Sequence, residues 1–216
     1  MIEIRIHGRG GQGGVTLAKI LATAHHLDGK SVQAFGIYAA ERSGAPLQAF
    51  LRFDDQPIHN PNQIYEPDHI IVLDPTLISP AITSGLKPGG YILFNSPEQP
   101  SVYSGQDQFA AYRIATVDAT RIALAHGLGT RAVPIVNSAL AGAAANLLDM
   151  ALEDVQAALA TMGFHAGNQQ AAADAFAALR VQENYVETGV FQRQELSKAR
   201  RPGFIDGNTG ALPAVK

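Results

Sequence analysis

The stretch IHGRGGQGG, residues 6–14, places Gly8, Gly10 and Gly13 at the G-x-G-x-x-G spacing of loops that hold phosphate groups. Backbone N–H groups of such a loop, with the first turn of the helix that follows, bind phosphate or pyrophosphate oxygens. Arg9 adds a charged donor inside the same loop. A tight turn without any ligand satisfies the same spacing, so both interpretations stay open here.

Two common nucleotide-binding classes fit the glycine loop poorly. A nicotinamide dinucleotide site needs an acidic residue at the end of the second strand, for the ribose hydroxyls. That predicted strand ends in QAFGIY, with Asp28 before it and Glu41 beyond it. In a P-loop, lysine and serine or threonine would stand where this chain has Gly14 and Val15. Both classes are therefore disfavoured.

A second unusual stretch is YAAERSGAP, residues 38–46, in which Glu41 and Arg42 precede a glycine and a proline. It comes directly before a predicted strand. In one interpretation it is an ordered loop beside the glycine loop, with Arg42 reaching a phosphate or a partner's carboxylate. In the other it is a surface turn with a solvated ion pair.

The sequence contains no complete set of catalytic residues. The seven histidines show no metal-ligand spacing, and there is no G-x-S-x-G motif. The chain has no cysteine, which excludes disulfides, thiol nucleophiles and cysteine-ligated iron–sulfur clusters on this chain. We assign no catalytic residue and no metal ligand.

The composition suits one domain of ordinary size with an appendage, since the chain has 216 residues and is 46% hydrophobic. Only 16% of residues are charged, which favours a surface partly covered by partner subunits. A net charge of −3 gives no reason to expect nucleic acid or an anionic membrane. With no leader pattern and no apolar stretch long enough to span a bilayer, we expect a cytoplasmic protein.

Runs rich in β-branched residues alternate with helix-like segments, which indicates an α/β fold with a mostly parallel sheet. We predict a Rossmann-like open sheet with helices on both faces, plus an extended C-terminal tail. Strands are predicted at 2–6, 31–35, 47–53, 69–73, 90–94, 112–117 and 131–136. Helices are predicted at 15–27, after the caps Asp74, Asp118 and Asn137, and at about 151–162 and 168–182.

The pattern divides the chain into an α/β domain, residues 1–182, and a tail, residues 183–216. The tail has little periodicity, and Phe191, Phe204 and Leu212 are candidate anchors on another surface. We interpret it as an extended, partner-docking segment, with plain disorder as the alternative.

Four quoted segments together resemble the gamma subunit of 2-oxoacid:ferredoxin oxidoreductases. They are GRGGQGGVTLAKILA, QAFGIYAAERSGAPLQAFLR, YEPDHIIVLD and VDATRIA. The resemblance covers about residues 2–182. Each segment alone is unspecific, but their combination in this order is highly specific. This chain has Ala39 and Ser43 where relatives often carry glycine and arginine.

The resemblance implies an accessory role in a multi-subunit enzyme. Such enzymes decarboxylate a 2-oxoacid on thiamine diphosphate with Mg²⁺, pass electrons through [4Fe–4S] clusters and commonly release acyl-CoA. Those cofactors belong to partners, the alpha, beta and ferredoxin-like delta subunits, and the gamma subunit helps to bind or orient CoA. Alternatives are a complex for aryl 2-oxoacids with a flavin subunit and NAD, and a purely structural subunit.

The resemblance also implies the candidate site residues. The phosphate cradle for CoA would comprise Gly8, Arg9, Gly10, Gly11, Gln12 and Gly13. The second loop would be shaped by Arg42, Ser43 and Pro46, and Asn137 would cap a helix at the same edge of the sheet. Ligands of such sheets bind outside the carboxyl ends of the strands, which fits both loops.

Overall fold

The computed structural model describes residues 1–37, 44–60 and 62–182. Its strands are β1 Ile2–Arg9, β2 Ser31–Ile37, β3 Pro46–Asp54, β4 His69–Val72, β5 Tyr91–Asn95, β6 Arg113–Val117 and β7 Arg180–Gln182. Its α-helices are α1 Gly14–Leu27, α2 Pro100–Ser104, α3 Ala119–Ala125, α4 Asn137–Leu147, α5 Leu152–Thr161 and α6 Ala166–Ala178. Short 3₁₀ helices span Pro75–Leu77, Pro80–Thr83 and Asp107–Phe109.

The strands form one sheet in the order β2-β3-β1-β4-β5-β6-β7. Strands β1, β4, β5 and β6 are parallel neighbours, whereas β3 is antiparallel to β1 and β2. Strand β7 is antiparallel to β6. Most strands of the described chain therefore run one way, and the α/β class with a mostly parallel sheet is confirmed.

One predicted strand and the end of one predicted helix are wrong. Residues 131–136 form no strand, because the segment closes into a tight turn in which Thr130 and Val133 exchange backbone hydrogen bonds. Only an isolated bridge, Gly129 with Pro134, remains there. The helix predicted to reach 182 ends at Ala178, and β7 follows. Three residues are too few for strand alternation to show in a sequence.

Both capping aspartates are confirmed. The Asp118 side chain accepts a hydrogen bond from the Arg121 N–H at the start of α3. Asp74 accepts one from the Thr76 N–H, but the element that it caps is the 3₁₀ helix Pro75–Leu77. The predicted tail lies outside the described residues, so its partner-docking role stays a prediction.

One face of the sheet is covered by α1, α3, α4, α5 and α6, which enclose the larger apolar core. Its side chains come from alternate positions of the strands, for example Ile4 and Ile6 of β1. Small residues let the helices approach closely. A Cβ atom at Gly142 of α4 would overlap the backbone carbonyl of Ala172 in α6.

The opposite face is covered by shorter pieces. Over β4, β5 and β6 it is apolar, and Phe94 packs against Tyr103 of α2 and against Phe109. Over β1 and β3 it carries two buried arginines, Arg5 and Arg52. Helices thus lie on both faces, but the long ones share a single face.

Candidate functional site

The glycine loop connects the carboxyl end of β1 to the first turn of α1. Gly11 and Gly13 have φ values of 94° and 83°, the left-handed region that side chains other than glycine rarely adopt. The N-cap residue Gly13 has no side chain to cap α1, and no acidic residue stands in the first turn of the helix. The first N–H groups of the helix, those of Gly14, Val15 and Thr16, therefore point out of the helix without an intrahelical partner.

Steric limits also require a glycine beside the start of α1. A Cβ atom at Gly13 would lie 2.8 Å from Nδ2 of Asn137. A Cβ atom at Gly8 would lie 3.3 Å from Cδ2 of Leu73. The loop is therefore closely packed at Gly8 and at Gly13.

The segment before β3 runs alongside the glycine loop. The Gly10 N–H donates to the Ala45 carbonyl over 2.9 Å, and the Gly44 N–H donates to the Gly10 carbonyl over 3.1 Å. Pro46 stands opposite Arg9 in the strand register. The structure thus brings Pro46 to the loop, whereas the candidates Arg42 and Ser43 lie outside the described residues.

Arg9 makes hydrogen bonds through each nitrogen of its guanidinium. Its Nε donates to Oδ2 of Asp74 over 2.8 Å, its Nη2 to Oγ1 of Thr76 over 2.9 Å, and its Nη1 to the Gly44 carbonyl over 3.2 Å. The side chain is 34% exposed. Arg9 braces the loop against the end of β4, and its role toward a phosphate stays a prediction.

Asp74 is the residue around which the loop is organised. Oε1 of Gln12 accepts from the Arg9 N–H, and Nε2 of Gln12 donates to Oδ2 of Asp74. Burial would raise the pKa of Asp74, but hydrogen bonds from Thr76, Gln12 and Arg9 lower that pKa below its ordinary value. Sequence reasoning assigned Asp74 only a capping role. Its position directly after a buried strand was the available signal.

The prediction that Asn137 caps a helix is wrong. Val136 holds the N-cap position, and Asn137 is the first residue of α4, 4% exposed. Its Oδ1 accepts from the Ser138 N–H, and Ser138 Oγ donates to Oδ1 of Asn168 in α6. Asn137 nevertheless lies at the expected edge, against Gly13, because α4 and α1 pack together there.

A cleft of about 410 Å³ opens beside Gln12, at the carboxyl ends of β4, β5 and β6. Asn95 braces its floor, since its Nδ2 donates to the Leu73 carbonyl and its Oδ1 accepts from the Thr120 N–H. Asp74 and Asp118 both line the cleft. Two carboxylates are not complementary to a phosphate, so the N-terminus of α1 fits an anion better than this cleft does.

Two kinds of feature are absent from the described residues. No group of three or more histidine or acidic side chains is placed to hold a metal ion. None of the described helices has the length and apolar character needed to cross a membrane.

Comparison with known sequences gives a consistent picture. The sequence profile of the family described as pyruvate ferredoxin/flavodoxin oxidoreductase matches residues 3–180. The chain is 48% identical over 161 residues to the pyruvate/ketoisovalerate oxidoreductases common subunit gamma of Thermococcus kodakarensis. That alignment covers 74% of this chain and 85% of the relative.

Solved structures agree with the sequence matches. The PORC subunit of pyruvate oxidoreductase from Thermotoga maritima superposes with a TM-score of 0.74 at 34% identity, covering 84% of this chain and 98% of that chain. A 2-oxoglutarate:ferredoxin oxidoreductase from Magnetococcus marinus shares the fold, with a TM-score of 0.61 at 16% identity. The match covers 82% of this chain and 30% of that longer chain.

Proposed function

Because this chain belongs to the pyruvate ferredoxin/flavodoxin oxidoreductase family, as a gamma subunit, we propose that it works in a complex that oxidatively decarboxylates a 2-oxoacid. The names of the relatives make pyruvate and ketoisovalerate the first substrates to test. In the reaction the bond to the carboxyl group breaks and CO₂ leaves. Two electrons pass to ferredoxin or another acceptor, and the acyl group passes to the sulfur of CoA.

The gamma subunit would contribute no reacting group to this chemistry. Thiamine diphosphate with Mg²⁺, held by partner subunits, supplies the site of decarboxylation, and [4Fe–4S] clusters in partners carry the electrons. The absence of cysteine from this chain agrees with that division of labour. The partners would be alpha, beta and ferredoxin-like delta subunits in the cytoplasm. A flavin subunit would be added if NAD is the final acceptor.

We further propose that the N-terminus of α1 binds a phosphate group of CoA. The observation that carries this proposal is the first turn of α1, which has glycine at its N-cap and follows directly on a G-x-G-x-x-G loop with two left-handed glycines. A helix N-terminus offers free N–H donors and a positive partial charge to an anion. The Magnetococcus complex was solved with CoA and succinyl-CoA bound, which makes CoA the ligand to test.

The residues around the loop fit this role through the backbone rather than through a free cation. Arg9 is already hydrogen-bonded to Asp74 and Thr76. A carboxylate placed in the first turn of α1 should therefore compete directly with a phosphate. At Thr16 such a carboxylate would also favour the helix itself, because it lies at the positive end of the helix dipole.

Assembly is tested by purifying the complex from the source cell through a tag on this chain. Mass spectrometry and iron analysis then identify what copurifies. We expect thiamine-diphosphate and iron–sulfur subunits, and the subunit list will identify the acceptor. Recovery of a lone, iron-free chain would overturn the proposed complex.

The role in CoA binding is tested with Thr16→Asp in the assembled complex, with the uncharged Thr16→Asn as matched control. We expect the KM for CoA to rise about tenfold or more in Thr16→Asp, since a charged hydrogen bond is worth about 1.5–3 kcal/mol. The KM for the 2-oxoacid should stay unchanged. An unchanged KM for CoA in a fully assembled Thr16→Asp complex would leave the gamma subunit a structural role.

A further inference from the structure

Strand β2 lies at one edge of the sheet and pairs on one side only, with β3. All seven of its residues, Ser31–Ile37, are half-buried. A strand at an edge presents a row of backbone N–H and C=O groups without partners, and such a row can pair with another extended strand. Which residues of β2 present that row follows from the register of the sheet.

The direction of each backbone group can be traced across the sheet from β1. The Leu73 N–H donates to the His7 carbonyl, so His7 directs its backbone groups toward β4. Successive residues of a strand alternate in this direction, so Ile6 directs its groups toward β3, where it pairs with Ala49. Ala49 therefore bonds to β1, and the next residue, Phe50, directs its groups toward β2.

The open side of β2 is then defined. Phe50 pairs with Phe35, so Phe35 bonds to β3. By alternation, the residues with outward N–H and C=O groups are Val32, Ala34 and Gly36. Within residues 1–37, 44–60 and 62–182, none of these outward groups makes a hydrogen bond.

This edge lacks the features that prevent strands from pairing. Open edges are normally blocked by charged side chains, by proline, by a bulge or by a very short strand. Ser31–Ile37 contains neither a charged residue nor proline, and it pairs with β3 residue for residue, without a bulge. The opposite edge strand, β7, has only three residues and begins with Arg180. Of the two edges, β2 is the one suited to pairing.

We propose that β2 pairs antiparallel with β2 of a second copy of this chain, about a two-fold axis at Ala34. In this register Ala34 faces Ala34 of the second copy, and Val32 faces Gly36. Every outward residue thus meets an outward residue, and each such pair exchanges two hydrogen bonds, about six in all. A shift by one residue would oppose outward groups to inward ones, and a shift by two would leave one outward residue beyond the paired segment.

Charge and side-chain size also favour an identical strand as the partner. The paired segment is uncharged, so the two-fold axis brings no like charges together. Lys30, which precedes the segment, is ion-paired with Asp55 of its own chain. Gly36 has no side chain and leaves room for the branched Val32 of the second copy. An interface of this kind uses the same surface on both subunits, as in most dimers.

The first test measures the mass of the full chain by sedimentation equilibrium over a range of concentrations. Ala34→Pro removes the N–H at the centre of the proposed interface, and Ala34→Ser, which keeps it, is the matched control. Because this N–H points away from β3, proline is compatible with the fold at this edge position, which thermal unfolding verifies. We expect a dimer for the wild-type chain and for Ala34→Ser, and a dissociation constant at least tenfold higher for Ala34→Pro.

The second test determines the register by disulfide formation, since the chain has no cysteine of its own. In Ala34→Cys the two introduced thiols would stand on facing residues, about 5.5 Å apart between Cα atoms, within disulfide range. In the control Val32→Cys they would be four residues apart along the strands, about 13 Å. Mild oxidation should therefore give a covalent dimer with Ala34→Cys and none with Val32→Cys.

Each remaining outcome overturns the proposal. A wild-type chain that is monomeric at every concentration does so, as does a dimer that Ala34→Pro leaves unchanged, because that dimer would use another surface. Equal cross-linking of both cysteine variants would exclude the register. In the complex purified through a tag on this chain, a cross-link from Ala34→Cys to a different subunit would show that another protein occupies the edge. If Ala34→Pro does not fold, the two cysteine variants decide.

Discussion

The two faces of the sheet are covered by elements that are held in place by different kinds of interaction. On the face covered by α1, α4, α5 and α6, the contacts are apolar and many residues are alanine or glycine. On the opposite face, over β1 and β3, loops are fastened by charged hydrogen bonds from Arg5 and Arg52. Arg52 alone bonds to Glu3, Gln33 and two backbone carbonyls.

The difference explains where the described chain leaves space between its elements. Apolar helix packing fills space at nearly crystalline density and leaves little room between elements. A loop held by a few directional bonds does not need to fill the space beneath it. A cavity of about 380 Å³, lined by His7 and Ile82, lies between the sheet and the loop that Arg5 holds. Stability on the helix face should depend on shape, and on the loop face it should depend on a few charged groups.

We expect the largest loss of stability for Arg52→Met, on the face where loops are held by arginines. It leaves the partly buried Glu3 carboxylate and the carbonyls of Asn60 and Asn62 without their donor. Breaking a buried pair from one side costs about 3–5 kcal/mol, which urea unfolding would measure. Arg121→Met, at an exposed pair with Asp118, is the control and should cost less than about 1 kcal/mol. Equal losses at both sites would contradict the comparison.

The next largest loss of stability is expected on the helix face, from a substitution that disturbs close packing. Gly142→Ala adds one methyl group where the Ala172 backbone already lies, so α4 and α6 must move apart. We expect a loss of about 2–3 kcal/mol, within the range for overpacking. Gly105→Ala, whose added Cβ would meet only Ser101 O at 3.5 Å, is the matched control and should be nearly neutral. Tolerance of Gly142→Ala without loss would show that helix packing there is loose.

His25 provides a further test of the comparison between the faces, because it is a polar group buried on the helix face. Its ring stacks on Phe53, and its Nε2 has no hydrogen-bond partner among the described residues. Burial lowers the pKa of His25 to about 4, and the charge of Lys30 adds to this. The unfolded chain therefore binds more protons between about pH 6.5 and pH 4, and stability falls as the pH falls through that window.

For one such histidine, the loss between about pH 7 and pH 5 is about 2 kcal/mol. His25→Leu should lose correspondingly less stability than the wild-type chain over this interval, as measured by urea unfolding at each pH. His26→Gln, at the exposed neighbouring position, is the control and should follow the wild-type dependence. An unchanged pH dependence in His25→Leu would mean that the side chain titrates normally in the folded protein.

Local patterns in the sequence predicted the central strands, the start of α1 and two caps, because these depend on residues close together in the chain. They did not predict that Arg5 would hold a loop 77 residues away. Nor did they reveal that Arg9 would pair with Asp74. The glycine spacing located the loop, but the partners of its side chains come from other elements. Those contacts form only once the sheet order is set.

The hydrogen bonds between Gly10 and the segment at Gly44 and Ala45 have a thermodynamic consequence. The glycine loop and the chain leading into β3 are one hydrogen-bonded unit, so a protein contact that orders either part also orders the other. If a neighbouring subunit docks on the segment before β3, docking and phosphate binding become linked equilibria. Each must then change the affinity of the other by the same factor. Assembly of the complex and its affinity for CoA would rise or fall together.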